Sequence, residues 1–220
     1  MDYAATLSRV EDYFDRSATR VWERLTSDAP VSRIRATVRE GRDRMRALML
    51  SRLPQDLHGA RVLDAGCGAG QMTAALAARG ADVVAADISP RLLAIAEARL
   101  PEALRGRVVF RAGDMLEAAG DGRFDAVMAM DSLIYYREAD LIAALERLAQ
   151  PDAPVVFTVA PRTPLLTAMW QAGRLFPRAD RSPQMVPQAP ARLAAKVPGL
   201  CRIGRVARGF YISECLEVRR

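Results

Sequence analysis

An α/β fold is predicted for this chain: a seven-stranded, mostly parallel sheet with helices on both faces. Three observations predict it. Short apolar runs alternate with helix-type runs between Val62 and Ala160, as strands joined by crossover helices do. The first run breaks into three alternating glycines, Gly66, Gly68 and Gly70. Three successive runs also end close to an acid, respectively Asp64, Asp87 and Asp114. In an open α/β sheet such positions lie at the carboxyl ends of the strands, where ligands bind.

The elements follow in order. Val62 to Ala65 reads as the first strand, and Gln71 to Arg79 as a helix with Gly80 in the stop position. Ala81 to Asp87 is the second strand. Ser89 is then a natural N-cap and Pro90 a natural first helical residue, and that helix stops before Pro101. A third strand starts at Val108 and is followed by Gly113, Asp114 and Met115. Strand four is expected over 124–130, with Asp131 to Tyr136 at its end, and strand five over 155–160. The tail, 202–207 and 210–218, reads as a hairpin-like final pair joined through Gly209.

Two flanking segments complete the plan. Residues 1–58 form a helical arm or cap, with helical apolar spacing at Leu7, Val10 and Phe14 and again at Val31, Ile34, Val38, Met45, Leu48 and Met49. The arm is expected to pack on the sheet's edge and cover the ligand site. Residues 59–220 form the main domain, with an insert at about 161–198. That insert sets Leu165, Met169, Trp170 and Phe176 beside Arg162, Arg174 and Arg178. It suits a pocket for a flat apolar acceptor bearing carboxylates, a membrane surface, or simple coverage of the core.

Composition bounds the classes. At 220 residues and 50% hydrophobic, the chain can bury a sizeable core as one domain with a small cap. No apolar run approaches the ~18 residues that span a bilayer, and the charged N-terminus lacks a signal-peptide core. Cys67, Cys201 and Cys215 show no metal or redox spacing. The single histidine, His58, has no neighbours at ligand spacing, which argues against a protein-bound metal. Residues 59–159 carry net charge −4 and residues 160–220 net +8. A basic region beside an acidic core fits an anionic acceptor or surface. Nucleic acid is disfavoured, because the arginines come without interleaved aromatics.

The glycine loop narrows the ligand. A dinucleotide fingerprint needs a third glycine where Gln71 stands, and no Gly-Lys-Ser/Thr follows for a phosphate loop. The pattern present, acid-x-Gly-x-Gly-x-Gly, resembles motif I of the class I, Rossmann-like, S-adenosylmethionine (SAM) methyltransferases. SAM carries a sulfonium and an ammonium, so an acid at the strand tip makes physical sense. The cofactor site expected on this resemblance comprises Asp64, Ala65, Gly66, Gly68, Gly70, Asp87, Ile88, Asp114, Met115 and Met130. Asp87 would accept the ribose hydroxyls. Asp114 would meet the adenine amino group, with Met115 packing on the ring.

Beyond the loop, five stretches resemble the bacterial magnesium-protoporphyrin IX O-methyltransferases of bacteriochlorophyll synthesis. They are 11–16 (EDYFDR), 31–35 (VSRIR), 130–136 (MDSLIYY), 156–161 (VFTVAP) and 205–215 (RVARGFYISEC). The resemblance implies methyl transfer from SAM to a propionate of Mg-protoporphyrin IX, giving the monomethyl ester and S-adenosylhomocysteine, with magnesium present only inside the substrate. It makes Tyr13 and Tyr135 catalytic candidates, and Asp131, Tyr136, Arg162, Trp170 and Arg174 acceptor-binding ones. The oxygenic branch has His where Tyr135 stands, so no catalytic imidazole carries over. The porphyrin-carrying subunit of magnesium chelatase is an implied partner. A cytoplasmic setting is expected, with peripheral attachment to the photosynthetic membrane left open. Two alternatives stand beside this reading: a methyltransferase for another anionic or lipid acceptor, and a SAM-binding scaffold without turnover.

Overall fold

The computed structural model describes residues 3–14, 33–163 and 185–219. Its centre is a seven-stranded sheet in the order β3-β2-β1-β4-β5-β7-β6. The strands are β1 (Arg61–Ala65), β2 (Asp82–Asp87), β3 (Val108–Ala112), β4 (Ala126–Ala129), β5 (Val155–Val159), β6 (Leu200–Arg208) and β7 (Tyr211–Val218). The first five are mutually parallel, and β7 runs antiparallel to β5 and β6. The chain steps outward from β1 to β2 and β3, then returns to place β4 on the other side of β1. That reversal opens a crevice at the carboxyl ends of β1 and β4.

Local chemistry accounts for most element boundaries. The helix after β1, α3 (Gln71–Ala78), starts from Gly70 in the left-handed region and ends at Arg79, with Gly80 at φ +95°. Helix α4 (Pro90–Arg99) has Ser89 as its cap, with the hydroxyl accepting from Leu92 N–H, and proline in its first turn. Helices α5 (Met115–Ala118) and α6 (Glu138–Leu148) flank β4, and α7 (Pro190–Ala194) precedes β6. At the hairpin tip Gly209 adopts φ +57°, as the first central residue of a two-residue loop wants. Strand β4 is shorter than expected, because Phe124 and Met130 are buried outside the paired stretch. Strand β6 is longer and shifts register between Arg202 and Gly204, where a Cβ on Gly204 would lie 3.2 Å from Leu48.

Two helices come from the N-terminal arm, α1 (Tyr3–Tyr13) and α2 (Arg33–Leu50). They do different work. Helix α2 lies across β6 and β7, and its Met45 and Met49 are fully buried with Val62, Leu76 and Met128. Each such side chain contributes about 1.5–3 kcal/mol of burial, so α2 closes one face of the sheet. On the opposite face Leu63, Phe124, Leu141, Leu145 and Phe157 form the second core layer. Helix α1 instead adds Val10 and Phe14 to a small cluster with Leu92, Ile134 and Tyr135, over the crevice.

Candidate active site

The glycine loop forms the floor of the crevice. Gly66 and Cys67 donate backbone N–H bonds of 2.8 and 2.9 Å to Ala86 O, tying the loop to β2. Gly66 has φ +82°, and a Cβ there would lie 2.3 Å from Ser132 Cβ, so the loop and the segment after β4 meet with no room for a side chain. The Gly70 position faces Ala96 at 2.8 Å, which lets α3 and α4 pack closely. Around Gly68 nothing lies within 4 Å of a would-be Cβ. Its open side faces the cleft, whose lining includes Gly66, Gly68, Asp64, Asp87 and Ile88.

The acids at the strand tips are held in distinct ways. Asp64 is buried and accepts from Thr73 Oγ1 at 2.6 Å. Burial pushes its carboxyl up to about 7, the Thr73 bond opposes this, and the nearby Asp87 charge adds to it. Asp87 accepts from Gly68 N–H at 2.8 Å and from Ser89 N–H at 2.9 Å. These bonds orient the carboxylate, and Asp87 lines the cleft. Asp114 is held in a third way. It caps α5, and its Oδ1 accepts from Leu116 N–H at 2.9 Å and from Tyr3 Oη at 2.6 Å. Gly113 and Met115 line the cleft, but Asp114 does not. Ala65 and Gly70 are not among the residues that line the cleft.

The far side of the cleft is built by the segment after β4. Met130, Asp131, Ser132, Tyr135 and Tyr136 all line it. Asp131 takes φ +58°, unusual for a residue with a side chain. Its N–H donates to Thr158 Oγ1 at 2.8 Å, and that hydroxyl donates back to Oδ1 at 3.1 Å. Tyr211 Oη donates to Oδ1 at 3.1 Å, and Arg42 Nη1 donates to Oδ2 at 2.5 Å. Ser132 Oγ is buried with no hydrogen-bond partner among the described residues. Tyr135 meets Phe14 edge-on, with ring centroids 6.3 Å apart, and Tyr136 stacks on Tyr3 at 4.8 Å. Burial, and then the Asp131 charge, raise the Tyr135 phenol above its usual value, so it stays protonated.

The remaining expected residues fare differently. Tyr13 packs edge-on against Phe14 at the rim, near Tyr135, without lining the cleft. Arg162 is exposed and is not among the residues that line the cleft; its backbone N–H donates to Gln188 O. Trp170 and Arg174 lie outside the described residues. Sequence reasoning missed Arg42 and Arg46, which line the cleft from α2, and also Thr158 and Tyr211. The available signal was the four-residue spacing of Arg42 and Arg46 beside the apolar Met45 and Met49. It is hidden in a helix that also carries Arg33, Arg35, Arg39 and Arg44.

No helix among the described residues is long and apolar enough to cross a membrane. Comparison with known proteins agrees with the geometry. Residues 129–220 match the family described as "Magnesium-protoporphyrin IX methyltransferase C-terminus", and residues 62–152 match "Methyltransferase domain". A Magnesium-protoporphyrin O-methyltransferase from Rhodobacter capsulatus is 59% identical over 221 aligned residues, covering 99% of this chain and 98% of the relative. The chloroplastic magnesium protoporphyrin IX methyltransferase of Arabidopsis thaliana is 30% identical, covering 94% of this chain and 69% of that one. A solved magnesium protoporphyrin IX methyltransferase from Synechocystis PCC 6803, with bound SAH, shares 28% identity and a TM-score of 0.77 over 97% of this chain and 99% of that one. With its sheet order, its cleft and its full-length kinship in agreement, the chain belongs to the magnesium-protoporphyrin O-methyltransferase family.

Proposed function

We propose that this enzyme transfers the methyl group of SAM to a propionate carboxylate of Mg-protoporphyrin IX, yielding the monomethyl ester and S-adenosylhomocysteine. The observation that carries the reading is the 59% identity along essentially the whole of both chains. The cleft fits SAM on its own terms. Asp64 and Asp87 present carboxylates to a cationic ligand, the Gly68 position leaves room for close approach, and Ile88 and Met115 offer apolar wall to a flat ring.

When bound, SAM supplies a methyl group made electrophilic by its sulfonium. The residues present then have distinct tasks. Asp64 faces the cationic end, and Asp87, fixed by two backbone N–H groups, receives the ribose hydroxyls. The segment Met130–Tyr136 forms the acceptor wall. A propionate is already ionised at neutral pH, so no strong base is needed. Alignment and exclusion of water dominate instead, and aligned attack alone supplies about 7–11 kcal/mol. Helix α1, closing over the cleft through Val10, Phe14 and Tyr3, excludes water. Tyr135 and Tyr13 orient the reacting carboxylate or pack on the macrocycle, and Tyr136 packs beside them.

The deciding experiment is methyl transfer from labelled SAM to Mg-protoporphyrin IX by the purified protein, with metal-free protoporphyrin in parallel. Esterification of the magnesium form is expected. SAM binding without transfer to either porphyrin would leave the fold standing and remove this acceptor. Attachment to an anionic membrane rests on the net +8 of residues 160–220, and handover from the porphyrin-carrying chelatase subunit rests on the family resemblance alone. Cosedimentation with anionic vesicles and with that subunit, each weakened by salt, is the check; no cosedimentation at low salt removes the partner concerned.

A further inference from the structure

One cation in the cleft has no part in the steps above. Arg42 reaches from α2 to Asp131, 89 residues away in sequence, and the two side chains are 15% and 9% exposed. Asp131 is over-determined. Thr158 binds both its N–H and its Oδ1, and the Tyr211 phenol, kept protonated by burial, donates to the carboxylate. These bonds hold Asp131 at φ +58°, a conformation that costs of order 1 kcal/mol or more and persists only where the surroundings impose it. Tyr211 reaches this point because α2 has glycine at 41; a Cβ there would sit 2.7 Å from the Tyr211 ring. Four separate elements thus converge to aim one guanidinium.

The electrostatics say what it is aimed at. The charged residues lining the cleft are Asp64, Asp87 and Asp131 against Arg42 and Arg46, the two described cations among them. An acceptor carboxylate entering among three acids needs a desolvated cation of fixed orientation. A guanidinium has five donors in a planar fork that matches a carboxylate, and Asp131 engages it through Nη1. Arg46 stands one turn further along α2, near the surface with Asp43, where it extends the positive path inward.

We propose that Arg42 is the carboxylate-recognising residue for the acceptor, with Asp131, Thr158 and Tyr211 as the positioning residues that hold its guanidinium toward the cleft. This rests on the reading that the acceptor is a porphyrin bearing propionates. It places the task of gripping a propionate on α2. A merely structural Arg42–Asp131 strut between α2 and β4 would act differently. Losing a strut would weaken every ligand alike and lower thermal stability.

The test compares Mg-protoporphyrin IX with its dimethyl ester, which has the same ring and metal but no carboxylate. Binding is read from the porphyrin's absorption shift, for the wild type, Arg42→Gln, Arg42→Lys and Asp131→Asn. Arg42→Gln is expected to lose about 10- to 100-fold in affinity for the diacid, the range of a charge-assisted hydrogen bond. Its affinity for the diester and for SAM should stay unchanged. Arg42→Lys should recover part of the loss. Asp131→Asn, which keeps the guanidinium but loosens its aim, should show a smaller loss confined to the diacid, and it carries the test if Arg42→Gln does not fold. Equal losses for diacid and diester, or no loss for either, overturn the assignment. A wild type that binds neither porphyrin overturns the acceptor reading itself, and the assignment with it.

Discussion

Asp64 sits furthest from ordinary aspartate chemistry. Burial pushes its carboxyl up to about 7 from a normal value near 4, so the protonated form is favoured in the ligand-free protein only below that pH. The resulting stability is fully present below pH ~4 and is lost as pH rises through about 7. A cationic ligand favours the charged form instead. The thermal shift produced by SAM is therefore expected to be larger at pH 8 than at pH 6, and Asp64→Asn should abolish that difference. An equal or reversed shift in the wild type contradicts the role. Gly66 gives a second residue-level prediction. Gly66→Ala places a Cβ 2.3 Å from Ser132 at φ +82°, and should cost about 2 kcal/mol or more with loss of SAM binding; differential scanning calorimetry and titration calorimetry check the two parts. The tyrosines are separable by kinetics. Tyr135→Phe should lower kcat, because Tyr135 lines the cleft beside Asp131. Tyr13→Phe, at the rim, should act on KM; unchanged kinetics in both would remove the orienting role.

At the scale of elements, α1 and α2 part company although both belong to the N-terminal 58 residues. Helix α1 meets the rest through contacts that include a small apolar cluster, a stacked Tyr3–Tyr136 pair and a bond from Tyr3 to Asp114. Removing residues 1–14 should speed SAM release and lower kcat, as loss of a lid does, while the melting temperature barely changes. Slow release after truncation would show that α1 does not gate the site. Helix α2 is core. Met45→Ala and Met49→Ala should each cost about 2–5 kcal/mol, measured by denaturant unfolding. A cost below about 1 kcal/mol would mean that α2 rests on the sheet as a detachable cap.

Across the whole molecule, legibility in the sequence followed the range of the determinants. The glycine loop, the Ser89 cap, the Gly80 stop and the Gly209 turn each depend on a few adjacent residues, so spacing revealed them. The seven strands came through because apolar runs and turn residues are local signals. Their ends were less sharp, since pairing partners decide where β4 stops and where β6 shifts at Gly204. Asp64 and Asp87 were found at their strand tips and line the cleft. Asp114 was found too, but its hydrogen bond from Tyr3, 111 residues away, was not.

What the sequence alone determined is thus the fold, the glycine loop and the acids at the strand tips, because each is written within a single βα unit. Tertiary structure alone decided which cations line the cleft. Arg42 meets Asp131 across 89 residues and Tyr211 meets it across 80, a meeting set by strand order and by the close approach of α2 to Tyr211 at Gly41. No local spacing encodes that convergence, because it arises only when three distant segments share one crevice.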